Sequence, residues 1–133
     1  YEMNIRDWRS DVCSSDLGGE RSVFVATQGE AVLGSFYLVR NQMGGGSHVC
    51  NAGFVTAPTA QGQGIARAML DHAMAEARDR GFAAMQFNFV VETNVRAFAT
   101  WVRAGFEVVG RLPGAFRHPE QGEVDALVMY RRL

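Results

Sequence analysis

A chain of 133 residues with 47% hydrophobic and 20% charged side chains can bury one core without staples and reads as an ordinary globular domain. Its net charge of -1 gives no global attraction to nucleic acid or anionic lipid, and no apolar run approaches the roughly 18 residues that a membrane span needs. The expectation is a cytoplasmic monomer or homodimer with no nucleic-acid or membrane partner and, lacking any metal-ligand spacing, no metal.

All thirteen basic residues are arginine, which fits a GC-rich coding genome better than a chemical need for guanidinium. The two cysteines, Cys13 and Cys50, read as free and reduced thiols. Residues 1–21 are a doubtful segment. Asp11-Val12-Cys13-Ser14-Ser15-Asp16-Leu17 has no hydrophobic period, and one frame of a common sequencing adapter encodes the same seven residues. The segment is therefore expected to be non-native, to lack a place in the packed core from Asp11 to Gly19, and to stand where a native front is missing. Cys13 then carries no functional information, and the domain proper is 22–133.

From Ser22 the patterning sharpens. Ser22 to Thr27 and Ala31 to Val39 are β-branched and aromatic runs split by Gln28-Gly29-Glu30, which predicts a hairpin. Asn41 to Ser47, with three consecutive glycines, predicts a loop, and His48 to Thr56 a third strand. Gly64 to Arg80 puts Ile65, Met69, Ala73, Met74 and Ala77 on one helical face, with Gly81 as the stop and His72 on the polar side. Phe82 to Val91 alternates again. Thr93 or Asn94 can cap a shorter helix running to Ala104, ended by Gly105. Phe106 to Leu112 and Val124 to Arg131 complete the strands, with Pro113 to Glu123 as the loop between them. The order is β-β-β-α-β-α-β-β.

The informative stretch is Gln61-Gly62-Gln63-Gly64-Ile65-Ala66, between a strand and an amphipathic helix. Small residues there let backbone N–H groups converge on an anion, and a helix N-terminus adds about half a positive charge. Glycines before a helix also serve as simple tight turns. A P-loop is excluded because no Gly-Lys-Ser/Thr follows, and a dinucleotide fingerprint because Arg67 stands where Gly or Ala is needed.

Gln61-x-x-Gly64-x-Ala66 resembles the Gln/Arg-x-x-Gly-x-Gly/Ala motif of the GNAT acetyltransferases. Asn94-x-x-Ala97, then Trp101 and Gly105-Phe106, resembles that superfamily's Asn-x-x-Ala-x-x-Leu-Tyr-x-x-x-Gly-Phe. The likeness runs from about Ser22 to Leu133. It implies the GNAT fold of the α/β (α+β) class, a central mixed, mostly antiparallel sheet flanked by helices. It also implies acetyl-CoA as acyl donor. Residues 47–54, 87–89, 114–119 and 124–126 further resemble a GNAT branch that includes acetyltransferases of proline analogues such as azetidine-2-carboxylate.

The resemblance implies roles residue by residue. Gln61, Gly62, Gln63, Gly64, Ile65 and Ala66 would hold the pyrophosphate. Phe54, Val55 and Thr56 would run along pantetheine, with a backbone N–H toward the thioester carbonyl, where one such donor is worth roughly 2 to 4 kcal/mol. Asn94 and Trp101 would complete the cofactor side. Asn51 and Asn88 are candidates for catalysis and acceptor binding, because an amide orients an amine without titrating near neutrality. Asn94 reads equally as a helix cap. Arg117, which could hold a substrate carboxylate bidentately, and His118 are candidates for acceptor binding, beside the plain alternatives of a surface ion pair and a structural histidine; Asp125 is an alternative partner for Arg117.

Trp101 departs from the superfamily pattern, which has Tyr there to protonate the departing thiolate. An indole N–H donates a hydrogen bond but does not give up its proton at physiological pH, so the general acid stays open. Direct attack by a neutral amine of a small molecule, an amino acid or cyclic amine, is the expected chemistry. Cys50 alone could argue for an acyl-enzyme, and it lacks a nearby base in the sequence. The rival readings are a catalytically weak acyl-CoA-binding module and a protein N-terminal or lysine acetyltransferase.

Overall fold

The alternation of apolar residues from Ser22 onward does build strands, and the sheet they form sets where every later feature lies. A computed structural model describes residues 7–15 and 19–133, with side chains described from residue 21. The elements are β1 (Asp7–Ser15), β2 (Gly19–Gln28), β3 (Ala31–Arg40), β4 (Val49–Thr56), α1 (Ile65–Asp79), β5 (Ala84–Val91), α2 (Val95–Arg103), β6 (Glu107–His118) and β7 (Gly122–Arg132). Short 3-10 turns lie at Gly44–Gly46 and Pro58–Ala60. The sheet order is β1-β2-β3-β4-β5-β7-β6, antiparallel except for β4 beside β5. A parallel pair needs a crossover, and α1 supplies it.

Two differences from the sequence reading have physical causes. Residues 7–15, which carry no hydrophobic period, pair along their whole length with β2 as an edge strand. Strand pairing is made by backbone groups and needs no pattern in the side chains. Leu17 and the side chains of residues 7–20 lie outside the described residues, so the expectation about core packing of Asp11 to Gly19 falls there too. The span Pro113 to Glu123, read as a loop, is mostly the hairpin of β6 and β7. The ladder slips between Leu112 and Phe116, around Pro113, which has no N–H to give. Gly114 sits there at φ +58°, and its N–H donates to Asp125 Oδ1 at 2.9 Å.

The helices share one face of the sheet. Ile65, Met69, Ala73, Met74 and Ala77 are buried as their spacing requires, together with Leu70. An aromatic row runs beneath them: Phe24 on Phe36 (4.8 Å between ring centres), Phe36 on Phe54 (5.5 Å), Phe54 near Phe87 (5.7 Å), and Phe87 on Phe106 (4.2 Å). Such stacked and edge-on pairs add to area burial. His72 is a correction to the polar-side reading: it lies edge-on to Phe24 (5.6 Å) and Phe36 (6.0 Å). Burial pushes its pKa down, with Glu76 opposing.

Candidate functional site

The site begins where β4 and β5 part company. They are paired only at Val49 with Ala84, Cys50 with Met85 and Asn51 with Gln86. Beyond that, β4 stays on β3, and β5 turns to β7. At the two ends of β4, the Ala57 N–H donates to Leu33 and the Val49 carbonyl accepts from Asn41, both contacts on the β3 side. Backbone groups alternate sides along a strand, so the odd-numbered residues bond β3 and the N–H groups of Phe54 and Thr56 turn into the split.

Trp101 of α2 fills the apex of that split. It is 6% exposed, with its ring centre 5.0 Å from those of both Phe54 and Phe87. Packed on Phe54 of β4 and Phe87 of β5, it stands as a wedge between the two strands, and it also borders the cavity outside.

The glycine loop leads from β4 into α1. Gly62 and Gly64 lie at φ +78° and +80°, the left-handed region that only glycine enters cheaply. Gly64 is the N-cap of α1, and no side chain caps the helix. The helix ladder starts with the Ala68 N–H on Gly64 at 3.1 Å. The preceding N–H groups of the first turn therefore have no intrahelical partner, which is the condition for holding an anion.

Between the loop and α2 opens a cavity of about 650 Å³. Of the residues expected on the cofactor side, Phe54, Thr56, Gln61, Gly62, Gly64, Ile65, Ala66, Asn94 and Trp101 line it. Val55 is 70% exposed and does not line it; odd-numbered in β4, it points to the opposite sheet face. Gln63 is exposed and outside the lining as well. Asn94 caps α2, its Oδ1 accepting from the Ala97 N–H at 3.4 Å, and it also lines the cavity.

The cavity also has walls that were not anticipated. Arg67, Arg96, Thr100 and Arg103 line it, and among the described residues no carboxylate does. Arg96, Thr100 and Arg103 follow i, i+4, i+7 on α2, a signal available from the sequence but hidden by reading the helix only for its apolar face.

The acceptor-side candidates lie elsewhere. Asn51 is half-buried on β4, level with Gln86 of β5. Asn88 is exposed and held at both ends: its Oδ1 accepts from Gln86 Nε2 and its Nδ2 donates to Asn41 Oδ1, each at 2.8 Å. Arg117 is 88% exposed and 3.6 Å from Glu123. His118 stands at the tip of the β6–β7 hairpin, where its Nδ1 accepts from the N–H groups of Glu120 (3.1 Å) and Gln121 (3.2 Å). These two contacts make the ring a turn fastener. Asp125 is engaged by the Gly114 N–H and by Arg111, which hold its carboxyl below the usual carboxylate range. Asn51 and Asn88 share a region of the β4–β5 junction; Arg117 and His118 are not brought to the cavity lining.

Cys50 is fully buried, and its thiol faces the Ala84 carbonyl at 3.5 Å. Burial pushes its pKa up to about 12. Thiolate is the reactive form, so native Cys50 should alkylate about a thousandfold more slowly at pH 8 than an ordinary thiol. Peptide mapping after iodoacetamide treatment, with and without urea, checks this. Ready labelling of native Cys50 would show the strand pair opening.

The acetyltransferase (GNAT) family profile matches residues 2–106. The chain is 34% identical over 99 residues to the N-acetyltransferase aca1 of Schizosaccharomyces pombe, covering 74% of this chain. The match covers 47% of aca1, so the chain spans about half the length of that curated relative. A GCN5-related N-acetyltransferase structure from Kribbella flavida shares 42% identity at a TM-score of 0.78, over 86% of this chain and 68% of that one. The ribosomal-protein-alanine N-acetyltransferase of Brucella melitensis shares 25% identity at a TM-score of 0.74, over 85% and 69%.

Proposed function

Because the chain belongs to the acetyltransferase (GNAT) family, we propose that it carries the donor site of an acetyl-CoA-dependent N-acetyltransferase that acetylates the amine of a small molecule, an amino acid or cyclic amine. The observation that carries the reading is the uncapped N-terminus of α1 behind two left-handed glycines, opening on an arginine-lined cavity beside the split strands. The GNAT family uses acetyl-CoA. The cavity's chemistry fits that donor: free backbone N–H groups and guanidinium groups suit the pyrophosphate, and the N–H groups of Phe54 and Thr56 suit an extended amide-bearing arm.

The chemistry is direct transfer. The neutral amine attacks the acyl carbon, a C–N bond forms as the C–S bond breaks, the amine nitrogen loses its proton, and the thiolate gains one. An N–H in the β4 split stabilises the oxygen as it becomes negative. Approximation of the two reactants supplies much of the rate. Cys50, protonated and sealed in the core, has no part as a nucleophile. Trp101 has no proton to lend, so the thiolate takes its proton from water or from the amine's own loss.

Asn51 and Asn88 are proposed to position the acceptor. Asn51→Ala is expected to lower kcat about tenfold, the loss of one positioning hydrogen bond, with acetyl-CoA affinity nearly unchanged. An equal loss in both would move Asn51 to the donor side or to the fold. The general test is acetyl-CoA consumption over a panel of amino acids, cyclic amines and alanine-starting peptides. The peptides belong in it because of the likeness to the ribosomal-protein-alanine enzyme of Brucella melitensis; activity on them alone would favour a protein acceptor.

A further inference from the structure

We propose that Arg96 and Arg103 read two separate phosphate groups of the donor, so that the site selects a nucleotide thioester carrying a ribose phosphate over its dephosphorylated form. The inference rests on the acetyl-CoA reading and goes beyond it in assigning the residues that set donor specificity. Arg96 and Arg103 lie on the same stripe of α2 as Thr100, and all three line the cavity. One apolar pair is turned the other way: Val95 is 71% and Val102 46% exposed, so the helix presents its cations to the cavity and leaves valines outside. The helix is anchored by its apolar face, where Trp101 is buried and Ala97 and Phe98 pack against the core.

Arg96 reaches the glycine loop. Its Nη1 lies 3.5 Å from where a Cβ on Gly62 would stand, so the guanidinium covers the loop whose N–H groups face the anion site. The third lining cation is already engaged, since Arg67 Nε is 3.0 Å from Asp71 Oδ1. Among the described residues no ion pair engages Arg96 or Arg103. Seven residues separate their Cα atoms by about 10 Å along the helix axis, too far for a single phosphate to be their common ligand without bending both side chains toward it. Two anionic groups on one ligand match the spacing better, with Arg96 and the loop on the pyrophosphate and Arg103 on the ribose phosphate. Guanidinium groups bind phosphate bidentately, which gives geometric selection as well as charge.

The test is calorimetric binding of CoA and 3′-dephospho-CoA to the full chain and to Arg96→Gln and Arg103→Gln. The wild-type chain should prefer CoA by about tenfold. Arg103→Gln should weaken CoA by that factor, leave dephospho-CoA unchanged and so abolish the preference. Arg96→Gln should weaken both ligands by about tenfold, because both keep the pyrophosphate. The unchanged dephospho-CoA affinity of Arg103→Gln serves as its own control for folding, and a thermal melt matching that of the wild-type chain does so for Arg96→Gln. A wild-type chain that binds both ligands equally, or an Arg103→Gln that keeps its preference, overturns this inference alone. A wild-type chain that binds neither ligand overturns the acetyl-CoA reading and this inference together.

Discussion

Gly64→Glu is expected to reduce acetyl-CoA affinity about a hundredfold or more while the domain still folds. Three facts combine in that expectation. Gly64 is the N-cap of α1, and the space around a Cβ placed there is open, so nothing in the core resists the new side chain. Its φ of +80° makes any other L residue strained, which costs about 1–2 kcal/mol against a domain stability of roughly 5–15 kcal/mol. The carboxylate, however, lands where free N–H groups and the positive end of the helix would meet a phosphate, and it competes for the same donors. Calorimetry with acetyl-CoA and a thermal melt separate the two effects. Micromolar binding retained by the variant would remove the loop from the donor site, and a Gly64→Ala control measures the backbone strain by itself.

Gly34→Val should destabilise the domain by about 3 kcal/mol or more, the upper end for overfilled cores. Gly34 pairs with Thr56 across β3 and β4. A Cβ there would come within 2.7 Å of the Val55 carbonyl oxygen and 2.9 Å of the Met69 Sδ and Cε atoms. The methionine could swing aside, but the carbonyl belongs to the backbone of β4 and can move only if the strand does. Since the same stretch of β4 carries the N–H groups of Phe54 and Thr56 into the split, variants that survive should also lose donor affinity. Denaturant unfolding gives the first quantity and CoA binding the second. A midpoint within about 0.5 kcal/mol of wild type would mean that β3 and β4 are not so closely apposed.

Much of this organisation was legible beforehand because it is local. Residues 64–80 announce α1 through a 3.6-residue apolar period with glycines at both ends, and the structure places Ile65 to Asp79 in the helix. The hairpin at Gln28-Gly29-Glu30 and the Asn94 cap are likewise short-range signals whose partners lie within a few residues. The GNAT motifs work for the same reason: a glycine loop joined to a helix start is one continuous segment.

What the sequence by itself determined, then, is most of the elements from Ser22 onward, their order and the glycine turn before α1, each specified by neighbours along the chain. The tertiary structure alone decided the rest. It put α1 and α2 on one face, parted β4 from β5 after Asn51, and drove Trp101 between Phe54 and Phe87. It sealed Cys50 in the core and moved His72 onto the aromatic row. Those outcomes depend on which strands adjoin and how deep a side chain lies, quantities set by contacts between residues tens of positions apart. No period or spacing encodes them, because burial and pairing are properties of the packed sheet and not of any one segment within it.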